Sequence, residues 1–287
     1  YTSYPTAPEW QDKLSQEYYS KKVKTLTSQQ GIALYVHIPF CEKLCWYCGC
    51  NTIIKKQNSH ADKYLKFLLQ EIEQVSQLIP EKVKVSQLHW GGGSPNFLSE
   101  QQTIILLDKI DECFDVDYDG EVAVEIDPRT TENEQIELYR RLGFNRISMG
   151  IQSFDAKVQK AINRIQPYER IAELVQLCKS LDFKSINFDL IYGLPQQTLE
   201  SFNATLHKTK ELSPDRIALY SFACLPEVIA HHKLIQQEQL PEVTEKFQLF
   251  LNAREFLSQN GYCDIAMDHF AKENDELTIA YRNKKLH

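Results

Sequence analysis

The sequence predicts an α/β protein: an open, incomplete (β/α) parallel barrel of about six strands, preceded by an N-terminal arm. Three observations carry this expectation. Short β-branched or aromatic runs alternate with longer stretches of helical periodicity, which calls for parallel strands joined by right-handed crossovers. Six or seven such units recur, fewer than the eight that close a full barrel. The length of 287 residues suits one large α/β unit with an appendage.

Taken in order, residues 1–30 do not fit the repeat and are read as the arm. Strands are expected at 33–38, 86–90, 122–126, 146–151, 185–191, 216–222 and 263–267, each β-branched or aromatic and bounded by turn signals. Between them, Tyr64, Phe67, Leu68, Ile72 and Val75, then Ile104, Leu107, Ile110 and Phe114, recur at helical spacing. Further helices fit 132–142, 168–181, 198–211 and 243–260. Pro128-Arg129-Thr130-Thr131 and Pro195-Gln196-Gln197-Thr198 read as loops feeding helix starts, with Thr as the cap. The expected organisation is an arm at 1–30, a barrel domain at 31–270 and the start of a cut C-terminal region at 271–287. The first residue, Tyr1, and the stop after Arg282-Asn283-Lys284-Lys285 are both read as cut ends.

Composition narrows the function classes. Apolar residues at 43% and charged residues at 25% leave room for a core and exclude disorder as the main state. No run approaches the ~18 apolar residues of a membrane helix, and no basic-then-apolar leader is read at the start. Thirty-two basic against 39 acidic residues, net −7, argue against broad nucleic-acid binding. A local basic pocket for an anionic small molecule remains compatible with that balance.

The eight cysteines are unevenly spread: Cys41, Cys45, Cys48 and Cys50 share one ten-residue window. Cys113, Cys178, Cys224 and Cys263 stand among apolar neighbours and read as core-filling residues. Clustering of this kind points to a metal and a reducing compartment, the cytoplasm. In Cys41-Glu42-Lys43-Leu44-Cys45-Trp46-Tyr47-Cys48, three thiolates can wrap one metal centre from a single loop. Three cysteines suit three irons of a cubane, leaving the fourth open, and Trp46 and Tyr47 can limit solvent access. The alternative is a structural zinc with Cys50 as fourth ligand, but such sites usually pair two separated elements and the sequence has no second one.

The second strand ends in His89-Trp90-Gly91-Gly92-Gly93-Ser94-Pro95, which holds three of the ten glycines. Without Cβ, backbone N–H and C=O groups can approach a ligand closely. A tight turn explains a glycine run equally well. Its placement after a parallel strand, on the face where the cysteine loop emerges, favours a ligand site.

These motifs, in this order, resemble the radical S-adenosylmethionine (SAM) superfamily. The closer resemblance is to its oxygen-independent coproporphyrinogen III oxidase (dehydrogenase) family, of haem synthesis. The similar segments run from Tyr35 to Cys50, Leu88 to Pro95, Glu125 to Arg129, Gly143 to Gln152, Asn187 to Pro195 and Met267 to Ala271, with Tyr1 to Ala7 near the start.

The resemblance implies a radical SAM barrel in which Cys41, Cys45 and Cys48 ligate a [4Fe–4S] cluster and Cys50 does not. It implies two SAM molecules. Tyr35, Gly92 and Glu125, with Tyr47 nearby, would surround the first; Gly93, Ser94, Gln152, Arg164, Asp189 and Ala223 would line the second. A carboxylate such as Glu125 can hold the methionine ammonium, and Arg164 can fork onto a carboxylate. Asp189 can accept from ribose hydroxyls or an amino group. Singly, Glu125 reads as a strand-end carboxylate, Arg164 as a surface ion pair and Asp189 as a helix cap. Their joint placement at successive strand ends favours the site.

No side chain is assigned a catalytic role. His37 is left out as a strand residue satisfying a backbone partner, His269 has no assigned role, and His231-His232 reads as a solvated pair in a polar helix. Arg129 and the stretch 21–24 are candidate cations for substrate carboxylates.

The implied reaction is oxygen-independent oxidative decarboxylation of two propionates of coproporphyrinogen III to vinyl groups by a 5′-deoxyadenosyl radical, giving protoporphyrinogen IX. The expected setting is a monomer with an unidentified electron donor and acceptor, without nucleic acid or a membrane span. Two rivals stand beside it. A haem-trafficking chaperone shares the fold, but its cysteine motif runs on into Asp-Phe where this chain has Gly49-Cys50, and it differs again where Met267-Asp268-His269 stands. A zinc-stabilised, non-enzymatic binding protein is the other.

Overall fold

The computed structural model describes residue 9 and residues 15–27 and 31–285. Most of the expected arm, including Tyr1 to Ala7, lies outside the described residues. The described part holds helix α1 (Gln16–Val23), capped by Ser15, whose side chain accepts from the Tyr18 N–H. Val23 is its one buried residue, so it carries no apolar stripe for a sequence pattern to register.

The chain forms two compact units: residues 1–42, 52–125 and 134–145, and residues 43–51, 126–133 and 146–287. In the first unit the elements are β1 (Ile32–Ile38), the short strands β2 (Phe40–Cys41) and β3 (Ile53–Ile54), α2 (Ala61–Leu78), β4 (Lys84–Gly92), α3 (Glu100–Cys113), β5 (Asp115–Ile126) and α4 (Asn133–Arg141). β4 pairs in parallel with both β1 and β5. Val85, Leu88 and Trp90 of β4 and Val122 and Val124 of β5 are buried. Trp90 meets Phe144 edge-on, at a centroid distance of 5.1 Å. α3 starts in a capping box between Ser99 and Gln102, which satisfies two otherwise open backbone donors. β5 begins earlier than the sequence suggests because its first half is acidic; Asp117 pairs with Lys84 at 2.8 Å.

The second unit holds β6 (Arg146–Gln152), α5 (Ala156–Ala161), α6 (Tyr168–Ser180), β7 (Ser185–Tyr192), α7 (Leu199–Leu212), β8 (Arg216–Ser221), α8 (Val243–Gln259), β9 (Tyr262–Ala266), β10 (His269–Lys272) and α9 (Glu276–Arg282). β7 is parallel to β6 and to β8. Ile147, Met149 and Ile151 of β6, Phe188 and Leu190 of β7, and Ile217 and Leu219 of β8 are buried. In β6 and β7 these buried residues alternate with the half-buried Ser148, Gly150, Asn187 and Asp189, so each strand turns one face to the core and carries its polar groups on the other. Thr198 caps α7 as expected, through a capping box with Ser201.

Three parallel strands in each unit give the expected six. The seventh candidate is corrected: β9 is antiparallel to β10, which runs antiparallel to β8. The chain reverses through Ala266, Met267 and Asp268, all left-handed at φ 86°, 49° and 66°, a turn with no glycine to announce it. No described helix is long and apolar enough to cross a membrane.

Candidate functional site

In the first unit the site residues gather at the C-terminal ends of β1, β4 and β5. The register sets Tyr35 beside His89 and His37 beside Gly91. The Tyr35 and His89 rings stack at 5.7 Å, and the Tyr35 hydroxyl lies 3.2 Å from His37 Nδ1. Glu125, the penultimate residue of β5, bonds His89 Nε2 at 2.9 Å and accepts the Gly92 N–H at 3.2 Å. Tyr35, Gly92 and Glu125 thus come together, with His89 and His37 added by the structure. Alternation along β1 could have nominated His37, two residues from Tyr35 on the same strand face.

The glycines of this turn are sterically required. Gly92 has φ 110°, and a Cβ on it would lie 2.5 Å from the His37 ring. A Cβ on Gly93 would lie 2.7 Å from the Phe40 carbonyl oxygen. The Gly93 and Ser94 N–H groups bond the Ile38 and Phe40 carbonyls at 2.8 and 2.9 Å. Ser94 Oγ stands 3.6 Å from Cys41 Sγ.

In the second unit the loop carrying Cys45, Tyr47 and Cys48 is held from several sides. The Trp46 N–H donates to the Ile162 carbonyl at 3.0 Å, and Asn163 Nδ2 to the Leu44 carbonyl at 2.7 Å. Trp46 and Tyr47 pack on Val158, Ile162, Ile191, Leu194, Phe222 and Ile235. His231 and His232, expected to be solvated, do the opposite: their Nε2 atoms reach the Cys48 and Tyr47 carbonyls at 2.6 and 3.1 Å. His232 is 1% exposed. They stand on a one-turn 3-10 helix, Ala230–Leu234, too short for periodicity to reveal its inward side.

Cys48 Sγ accepts from the Cys50 N–H at 3.4 Å. Hydrogen bonding from Cys50 outweighs burial and brings the Cys48 thiol down from 9.0 to about 6, with the charges of His231 and Arg164 assisting. Cys50 thereby serves its neighbour directly. Burial holds the Tyr47 phenol well above its ordinary 10.0.

Arg164 is 6% exposed, which removes the surface-pair explanation. Its Nη2 donates to the Gly150 carbonyl at 2.7 Å and its Nη1 to Cys45 Sγ at 3.4 Å. Arg129 is corrected as a candidate for substrate carboxylates. Its side chain is 4% exposed and pairs with Asp127 at 2.6 Å, and its Nη2 donates to Cys45 Sγ at 3.2 Å. Asp127, missed at the sequence level, also lies 3.4 Å from Arg164. The signal was the alternation Glu125, Asp127, Arg129 at a strand end.

Gly150 and Asp189 are register neighbours on β6 and β7. Asp189 accepts from Asn187 Nδ2 at 2.8 Å and from the Ser148 hydroxyl at 3.5 Å, so it is no helix cap. Gln152 ends β6 with φ 62°, and its buried Oε1 has no hydrogen-bond partner among the described residues. Ala223 is exposed just beyond β8.

A profile of the Radical SAM superfamily matches residues 35–209. The chain belongs to the radical SAM superfamily. Coproporphyrinogen III oxidase (HemN) from Escherichia coli, described as a radical SAM enzyme, matches the whole radical SAM chain at 43% identity and TM-score 0.94, with 66% of its own chain covered. The fold is therefore the superfamily's: an α/β sheet of mostly parallel strands that does not close. Streptococcus suis SuiB shares this fold at 14% identity, TM-score 0.54, over 87% of the chain and 51% of its own.

Among curated relatives, the oxygen-independent coproporphyrinogen III oxidases of Escherichia coli (strain K12) and Synechocystis sp. (strain PCC 6803) are 43% and 42% identical over the full chain. The chain spans 62% of the length of each.

Radical SAM membership implies a [4Fe–4S] cluster and SAM, and the residues present fit both. Of Cys41, Cys45 and Cys48, Cys48 is lowered toward thiolate and Cys45 receives two guanidinium N–H groups. The Gly92 N–H and Glu125 stand together at the strand ends, and Gln152 offers a buried acceptor with no hydrogen-bond partner among the described residues. Among the described residues no three His, Cys, Asp or Glu side chains converge on one metal ion; a cubane distributes its thiolates over separate irons.

Proposed function

We propose that this chain is the radical SAM portion of an oxygen-independent coproporphyrinogen III oxidase, converting two propionates of coproporphyrinogen III to vinyl groups to give protoporphyrinogen IX. The observation that carries this reading is identity of 42–43% across the full chain to relatives bearing that name. Residues 31–270 serve as the radical SAM domain, which the profile over 35–209 supports. A cluster held on cysteine thiolates suits a reducing cytoplasm.

When bound, the cluster and SAM supply one-electron chemistry that removes a hydrogen atom from each propionate, which then loses carbon dioxide and one further electron. The chain's own residues bind and orient. Cys41, Cys45 and Cys48 hold the cluster. Glu125, already accepting two donors, keeps a carboxylate for the SAM ammonium beside the Gly92 N–H, where a charge-assisted bond is strongest. Tyr35 and Tyr47 flank the first SAM. Gly93, Ser94, Gln152, Arg164, Asp189 and Ala223 take a second SAM, which the orphaned Gln152 Oε1 supports. Packing of Trp46 and Tyr47 on the apolar cluster beneath excludes water from the cysteine loop.

Anaerobic incubation of the reconstituted protein with coproporphyrinogen III, SAM and a reductant tests the proposal. The expected products are protoporphyrinogen IX and two equivalents of carbon dioxide. Haem binding with no turnover would instead favour the chaperone.

A further inference from the structure

We propose that Arg129, partnered by Asp127, sets the reduction potential of the cluster through Cys45. This inference rests on the reading that Cys45 is a cluster ligand. Cys45 Sγ receives Arg129 Nη2 at 3.2 Å and Arg164 Nη1 at 3.4 Å. Arg129 is anchored for this contact: Nε donates to both Asp127 oxygens at 2.9 and 3.1 Å, and Nη1 donates to the Asn163 carbonyl at 3.3 Å. Its backbone N–H also bonds Asp127 Oδ1, at 3.1 Å. The side chains of Arg129, Arg164 and Asp127 are 4%, 7% and 7% exposed.

Two guanidinium groups and one carboxylate leave one net positive charge among these three side chains beside Cys45. Hydrogen bonds to cluster sulfurs and nearby positive charge stabilise the reduced, more negative cluster and raise its potential. Arg129 supplies both, and Asp127 offsets part of the charge while aiming the fork. Arg129 acts through a ligand and is a positioning residue.

The test is a potentiometric titration, followed by electron paramagnetic resonance, of reconstituted wild type, Arg129→Gln, Arg129→Lys and Asp127→Asn. Arg129→Gln should lower the midpoint by about 59 mV or more, a tenfold change in the one-electron equilibrium. Arg129→Lys should lower it less, and it carries the comparison if the Gln variant assembles no cluster. Asp127→Asn should shift the midpoint upward, which general loosening of the loop does not do. Unchanged midpoints, or shifts of the same sign for Arg129→Gln and Asp127→Asn, overturn the inference. Wild type that assembles no cluster overturns the functional reading beneath it instead.

Discussion

His231 Nε2 lies 2.6 Å from the carbonyl oxygen of Cys48. A carbonyl only accepts, so the imidazole carries its proton on Nε2. His232 makes the same contact to Tyr47, while its Nδ1 accepts the Leu225 N–H at 3.0 Å. The two histidines fasten the cysteine loop by its backbone. Replacing the buried His232 by Ala leaves that carbonyl and that N–H without partners, a loss of about 2–3 kcal/mol. Urea unfolding should show the loss, and hydrogen exchange at the amides of residues 46–48 should quicken. Wild-type protection in that loop would contradict the fastening role.

Asp127 gives the second unit an acid-sensitive tie. Burial alone would raise its carboxyl, but Arg164 and Arg129 outweigh burial and hold it at about 2, below the ordinary 3.8. The folded value lies under the unfolded one, so the stabilisation is complete above about pH 5 and is lost as pH falls through 3.8 toward 2. It amounts to about 2 kcal/mol. The stability gap between wild type and Asp127→Asn, read by urea titration, should therefore narrow from about pH 5 to about pH 3. A constant gap would count against the tie.

Gly92→Ala should damage the first unit. The new methyl meets the His37 ring at 2.5 Å, on a backbone at φ 110°, a combined strain of about 1–3 kcal/mol. The unfolding midpoint should drop, and SAM affinity should fall with it because the Gly92 N–H and Glu125 shift together. Unchanged stability and affinity would show that the turn has room to spare.

Gln152→Leu separates binding from stability. The buried Oε1 has no partner among the described residues, so an apolar replacement of similar shape should leave the unliganded protein as stable or slightly more so. If this acceptor belongs to a second SAM site, equilibrium dialysis should show bound SAM falling from two per chain toward one. Two equivalents bound by the variant with unchanged affinity would remove Gln152 from the site.

Most strands were legible because apolar residues alternate along them, Ile147, Met149 and Ile151 in β6 and Ile186, Phe188 and Leu190 in β7. The first half of β5, with Asp115, Asp117 and Asp119 around Val116 and Tyr118, offered too few apolar residues to extend the strand that far. β10 was missed because a turn of three left-handed, non-glycine residues separates it from β9. At the site, Cys41, Cys45, Cys48 and the glycine turn stood out by spacing, and Glu125 through the family resemblance. The Arg129–Asp127 pair and the two histidines did not, because their role depends on tertiary placement: Arg129 reaches a thiol 84 positions away and His231 a carbonyl 183 away. Local pattern holds no record of such distances.

The central claim, a radical SAM centre on this cysteine loop, is tested most directly by anaerobic reconstitution of wild type and Cys45→Ala. Wild type should gain four irons and four sulfides per chain, turn brown and cleave SAM with dithionite. Cys45→Ala should keep the fold and lose both cluster and cleavage. A colourless wild type holding one zinc, or full cleavage by Cys45→Ala, would contradict the account.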